Sequence, residues 1–185
     1  KTTADKLVLV HATTTYQAYN QWGGYSLYKG PNGTLATRAH RVSFHRLYDS
    51  TGAEKFVSFD MVVTQRAERL GLPLAWLTSY DLETPDILTD ALGVVSLGHD
   101  EYVSVPMRDA LESARDAGTN LAFLGGNAVY WRIRFADDGQ TVISYKDAAL
   151  DPVQGPTTTT LWRRDPDAKP ESALTGMLYE CYPSR

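Results

Sequence analysis

Four short apolar runs decide how this chain can fold: Leu7–Val10, Leu74–Thr78, Val94–Leu97 and Leu121–Leu124. Each is continuous rather than alternating, the mark of a strand buried on both faces, as in a parallel sheet. Helical segments lie between them. From about Phe59 to Leu70, the residues Met61, Val62, Gln65 and Arg69 keep helical spacing, and Gly71 with Pro73 supplies the stop. Thr84-Pro85-Asp86 is expected to open a short helix, with Thr84 as cap and Pro85 in the first helical position. Ser104 caps a helix from about Val105 to Ala117, with Pro106 near its start and Gly118 at its end. The alternation predicts an α/β fold, a doubly wound and mostly parallel sheet flanked by helices.

Three stretches depart from that pattern. Tyr16 to Thr37 holds six Gly, Pro or Asn punctuators, Gly23 to Gly33, among four tyrosines and Trp22, and is expected to form a long ordered loop. Trp131–Phe135 and Thr141–Tyr145 flank Asp137-Asp138-Gly139, a hairpin signal. From Asp151 to Pro170 the chain is rich in Pro, Thr, Asp and Arg and reads as an irregular arm, ending in the short apolar piece Leu174–Tyr179. The division expected is an α/β domain over 1–150 and a C-terminal arm over 151–185 that leads into, or packs on, the same domain.

With 185 residues the chain is long enough to bury about 70% of its unfolded surface, so its core needs no disulfide or metal. Cys181 is the only cysteine, which excludes an internal disulfide and a Cys-rich zinc site. The formal net charge is -4 and no run of like charge stands out, so neither a nucleic-acid footprint nor a polybasic membrane patch is expected. No apolar run reaches the roughly 18 residues of a membrane span, and a soluble protein is expected, in the cytoplasm or secreted. The sequence enters its first strand pattern directly after Lys1-Thr2-Thr3-Ala4-Asp5, which fits a mature form or a domain cut from a longer protein.

In open α/β sheets ligands bind beyond the carboxyl ends of the strands. After the first strand come His11, Tyr16, Tyr19 and Asn20; after the third, Gly98-His99-Asp100-Glu101-Tyr102; after the fourth, Gly125-Gly126-Asn127. Two readings stand for His99-Asp100-Glu101: acids complementing a helix N-terminus, or a metal or acid/base site of carboxylate oxygen and imidazole. The tyrosines around Trp22 also have two: an aromatic platform that packs the loop down, favoured for Tyr25 and Trp22, or ligation, which competes for Tyr19 and Tyr28. A Gly-x-Ser-x-Gly elbow, a His-Glu-x-x-His helix and a Gly-rich phosphate fingerprint after the first strand are all missing.

Taken together, Thr15-Tyr16-Gln17-Ala18-Tyr19-Asn20-Gln21-Trp22-Gly23-Gly24-Tyr25-Ser26-Leu27-Tyr28, Gly98-His99-Asp100-Glu101-Tyr102, Gly125-Gly126-Asn127 and Tyr130-Trp131-Arg132 resemble the C-terminal catalytic-type domain of the N,N-dimethylformamidase large (beta) subunit family. The resemblance runs over roughly Leu7 to Lys146. It implies a flavodoxin-like three-layer sandwich, similar to class I glutamine amidotransferases. It also implies hydrolysis of small N-substituted amides by one ferric iron held by two tyrosines and a carboxylate. Carried onto this sequence, the iron ligands would be Tyr19, Tyr28 and Glu101, with His99, Asn127 and Lys146 as catalytic residues. Phenolate and carboxylate are hard anionic ligands that suit a ferric ion. The resemblance further implies a small-molecule amide as substrate and further domains or subunits of a larger protein. The competing expectation, from a different class, is a non-catalytic amidotransferase-like module that binds a ligand or serves as a scaffold.

Overall fold

The computed structural model describes residues 2–180; Cys181 lies outside them. Four parallel strands form the central sheet: β1 (Leu7–His11), β3 (Leu74–Thr78), β4 (Gly93–Ser96) and β6 (Asn120–Phe123), in the order β3-β1-β4-β6. The four apolar runs thus become its strands, in register Leu7 to Leu74 and to Gly93, and Gly93 to Asn120. Alternation along each strand divides the core. Val8, Val10, Leu77 and Val94 face Met107, Leu111 and Ala114 of α4 (Val105–Asp116). Leu7, Leu9, Val95 and Leu97 face Val63 and Ala67 of α3 (Met61–Arg69). Helices therefore cover both faces, as a sheet with two apolar faces requires.

A second, mixed sheet stands beside the first, in the order β2-β8-β7-β5. The expected hairpin is present as β7 (Trp131–Phe135) and β8 (Thr141–Ile143), paired antiparallel. Two three-residue strands extend it. β2 (Arg41–Ser43) pairs with β8, and β5 (Tyr102–Ser104) runs parallel to β7 with Tyr102 opposite Trp131. Strands this short carry almost no alternation, so the sequence read only the hairpin.

Three expectations are corrected. Tyr16 does not begin a loop: it lies inside α1 (Thr13–Tyr19), and the irregular segment starts after it. Tertiary bonds make that helix: Ser79 Oγ accepts the Thr14 N–H at 3.1 Å, and Thr14 Oγ1 donates to the Tyr102 carbonyl at 2.7 Å. The helix expected from Phe59 begins earlier, as α2 (Ser50–Lys55), and passes through one wide π turn, Phe56–Asp60, into α3. Asp49 caps it, accepting from the N–H groups of Thr51 and Gly52 at 2.9 and 3.3 Å. The capped short helix is a 3-10 turn over Ser79–Glu83, opened by a reciprocal Thr78–Asp81 box, and not one opened by Thr84.

Residues past 150 fold back on this body. Trp162 is fully buried in the core between the guanidinium groups of Arg108 and Arg132, 4.7 and 5.2 Å from its ring. Those cations donate to the carbonyls of Lys169 and Pro170, and of Thr158 and Asp167. Of the apolar piece expected over Leu174–Tyr179, only the start lies in a helical turn, α5 (Ser172–Thr175), with Leu174 in the core. No helix of the described residues is long and apolar enough to cross a membrane.

Candidate functional site

Following the chain, the sheet is extended from β1 to one side by β3, then to the other by β4 and β6. The winding direction reverses between β1 and β4, and the diverging connections leave a crevice at their carboxyl ends. α1 leaves β1 there, and the His99-Asp100-Glu101 segment leaves β4 there. Two glycines make that exit possible. Gly98 has φ +54°, and a Cβ on it would lie 2.3 Å from Phe59 Cβ; a Cβ on Gly125 would lie 2.0 Å from the Gly98 carbonyl oxygen. The turns after β4 and β6 therefore touch backbone to backbone.

Glu101 is the centre of what gathers in the crevice, and it is 2% exposed. Thr15 Oγ1 accepts its N–H at 3.0 Å, tying it to α1. Its carbonyl accepts the N–H groups of Tyr130 and Trp131, at 3.0 and 2.8 Å. Its two carboxylate oxygens are shared among aromatic donors. Tyr19 donates to Oε2 at 2.9 Å; Tyr28 and Trp131 Nε1 donate to Oε1 at 2.5 and 2.9 Å. His99 Nε2 lies 3.2 Å from Oε2 and 3.1 Å from the Tyr19 hydroxyl. Burial pushes the Glu101 carboxyl up, but bonds from His99 and Tyr28 and the charges of His99 and Lys146 outweigh it and hold it below its ordinary range. Burial, reinforced by the Glu101 charge, pushes the Tyr28 phenol well above 10.

Lys146 closes the inner side. Its Nζ sits 3.1 Å from the centre of the Tyr28 ring and about 5 Å from those of Tyr102 and Trp131, with no hydrogen-bond partner among the described residues. Burial lowers its amine to about 7, against the opposing pull of Glu101. Its backbone takes φ +62°, a left-handed conformation that costs a lysine about 1 kcal/mol or more.

A second polar cluster adjoins the first through Phe59 and Gly98. Asp60, the last residue of the π turn, is fully buried; it accepts from His11 Nδ1 at 2.8 Å and from the Tyr16 hydroxyl. Asp100 is also buried, accepts from Ser96 Oγ at 2.9 Å, and has its carboxyl raised to about 6 by burial. Phe59 stacks on His99, ring centres 6.0 Å apart.

The structure thus brings Tyr19, Tyr28, His99, Glu101 and Lys146 together. Asn127 lies at the same edge, largely buried in the turn after β6, but it is not among the hydrogen-bond partners of Glu101 in the described residues. Sequence reasoning missed Thr15, Trp131 as a donor, and Asp60. Trp131 had a signal, as the first residue of a hairpin strand. Asp60 had none, because a helix interior gives no sign that one aspartate turns inward. Among the described residues no three His, Cys, Asp or Glu side chains come together to hold a metal.

No curated protein matches the chain in sequence. The family described as N,N-dimethylformamidase beta subunit-like, C-terminal, has a model that matches residues 1–185, so the chain belongs to that family.

Proposed function

We propose that the Glu101 site is a mononuclear iron centre and that the protein hydrolyses the C–N bond of small amides, as the family description suggests. One observation carries the reading: two tyrosine hydroxyls, Tyr19 and Tyr28, converge on the two oxygens of a single buried carboxylate. Two phenol oxygens, each within hydrogen-bond reach of the same carboxylate, make with it a set of three hard donors that fits a ferric ion, whose charge would take the place of the two phenolic protons. A bound ferric ion supplies Lewis acidity for the amide carbonyl and for water. The residues of the chain do the rest. Trp131 Nε1 fixes the carboxylate plane. His99, within reach of both Tyr19 and Glu101, is placed to take a proton from water or to return one to the departing amine. The unpaired Lys146 ammonium offers donors to negative charge that develops on the carbonyl oxygen. Asn127 is proposed as a further polar group along the same wall. A flavodoxin-like sandwich is part of the proposal, supported by the second-first-third-fourth order of the parallel strands. So are further subunits, since the family description names a beta subunit.

The test is elemental analysis and visible spectroscopy of the wild type and Glu101→Gln, each grown with iron. The expected outcome is stoichiometric iron and a phenolate-to-iron absorption band in the wild type, with both lost in E101Q. Iron retained in full by E101Q, or a metal-free, colourless wild type, overturns the reading.

A further inference from the structure

Lys55 is the last residue of α2, and the π turn that follows keeps the chain helical, so its charge has no free helix end to complement. Its ammonium instead lies over the outer face of the Tyr19 ring, 4.4 Å from the centre, and 5.6 Å from the centre of Phe59. The other edge of Tyr19 carries the hydroxyl bound to Glu101, and the other neighbour of Phe59 is His99, 21% exposed. Lys55 and Phe59 therefore form the rim over His99, one ring's width from the Glu101 oxygens. Among the described residues no carboxylate pairs with Lys55, whereas the nearby Arg46 is spent on the carbonyls of Gln17, Asn20 and Tyr25.

A half-buried, unneutralised ammonium at the entrance of a site selects for negative charge. Its surroundings narrow the class. One lysine between two aromatic rings supplies a single charge and no planar fork, which suits a monoanionic carboxylate; a phosphate draws several donors or a bidentate guanidinium. The position narrows it again: Lys55 lies 4.4 Å from the centre of the Tyr19 ring whose hydroxyl is bound to Glu101, so a carboxylate held at Lys55 is joined to an amide at Glu101 by a short linker. We infer that Lys55 is a specificity-determining residue and that the preferred substrates are small amides with a carboxylate close to the scissile C–N bond, such as N-acylated amino acids. This rests on the amide reading of the Glu101 site.

The probes are N-acetylglycine and N-acetylglycinamide, equal in size and different in charge, titrated into the full-length protein at low ionic strength by calorimetry. The variants are Lys55→Gln and Lys55→Arg, with thermal melts confirming that each is folded. The wild type is expected to bind the anion about fivefold to tenfold more tightly, a preference that fades with added salt. K55Q should bring the two affinities together, and K55R should keep them apart. Equal affinities in the wild type sink the inference and leave the amide reading standing. So does an anion preference that survives in K55Q, because the carboxylate is then held elsewhere. Failure of the wild type to bind either amide sinks both.

Discussion

At the scale of single residues, the site is a carboxylate surrounded by aromatic donors, and each donor has a separate consequence. Trp131→Phe keeps an aromatic ring but removes the pyrrole half of the indole together with the N–H that reaches Glu101 Oε1. A bond to a buried charged acceptor is worth about 1.5–3 kcal/mol, and urea denaturation should show a loss of at least that size, since ring atoms are lost as well. An unchanged midpoint would mean that Tyr28 alone satisfies that oxygen. Lys146 supplies a pH test with a definite sign. Its amine sits at about 7 in the fold, below its ordinary value of 10.5, so the unfolded chain binds the extra proton between those limits. Below pH 7 both states carry the proton and the fold bears the whole cost of burying it. As pH rises from 7 toward 10.5 that cost is relieved, and stability gains. Lys146→Met should therefore stabilise the protein most below pH 7, with the advantage shrinking at higher pH; a difference that does not vary with pH would contradict a buried, depressed amine. Tyr19, His99 and Glu101 were legible in the sequence because each follows a strand end, and Tyr28 and Lys146 through the family resemblance. Their mutual contacts were not, since Tyr28 reaches Glu101 across 73 residues of chain.

At the scale of elements, the position of Phe59 over His99 depends on one turn of each partner. The π turn Phe56–Asp60 swings Phe59 toward the crevice and Asp60 inward, and Gly98 lets the chain after β4 pass against them. Gly98→Ala adds a methyl 2.3 Å from Phe59 Cβ in a backbone conformation that L side chains rarely adopt. The expected cost is about 2 kcal/mol or more, with loss of the Phe59–His99 stack. Stability within about 0.5 kcal/mol of wild type, an ordinary surface value, would show that the two turns yield to each other. The four parallel strands were legible because short continuous apolar runs have few other uses in a chain of this size. The π turn was not, since it differs from an α turn by one hydrogen-bond step and leaves no periodic trace. α1 was hidden for another reason: its three threonines have weak helix propensity, and Ser79 and Tyr102 hold it from outside. Of the second sheet only the hairpin was legible, because β2 and β5 are defined by their partner strands.

At the scale of the whole molecule, the crevice at the winding reversal draws its walls from parts of the chain that have nothing else in common. Tyr19 comes from α1, Tyr28 from the loop beyond it, Glu101 from the segment joining the two sheets, and Trp131 and Lys146 from the second sheet and its exit. An ion bound at Tyr19, Tyr28 and Glu101 would cross-link the α1 region to the joint between the sheets. Ligation is then a folding term, since the unfolded chain has no such arrangement of donors. At a free ion concentration about a hundred times the dissociation constant, binding adds about 2.7 kcal/mol of stability. For a chain of this length each kcal/mol moves the melting temperature by about 2–4 °C, so saturation with iron should raise it by about 5–10 °C. The direction with pH also follows. Two phenols must lose their protons to bind, and Tyr28 is held protonated well above its ordinary range, so the gain should grow as pH rises from 6 to 8. Calorimetric scans with and without an iron chelator at both pH values test this, with E101Q as the control that should ignore the chelator. If the chelator leaves the wild type's melting temperature unmoved at both pH values, the three donors are not an iron site, and their convergence is a hydrogen-bonded joint that fastens α1 to the second sheet.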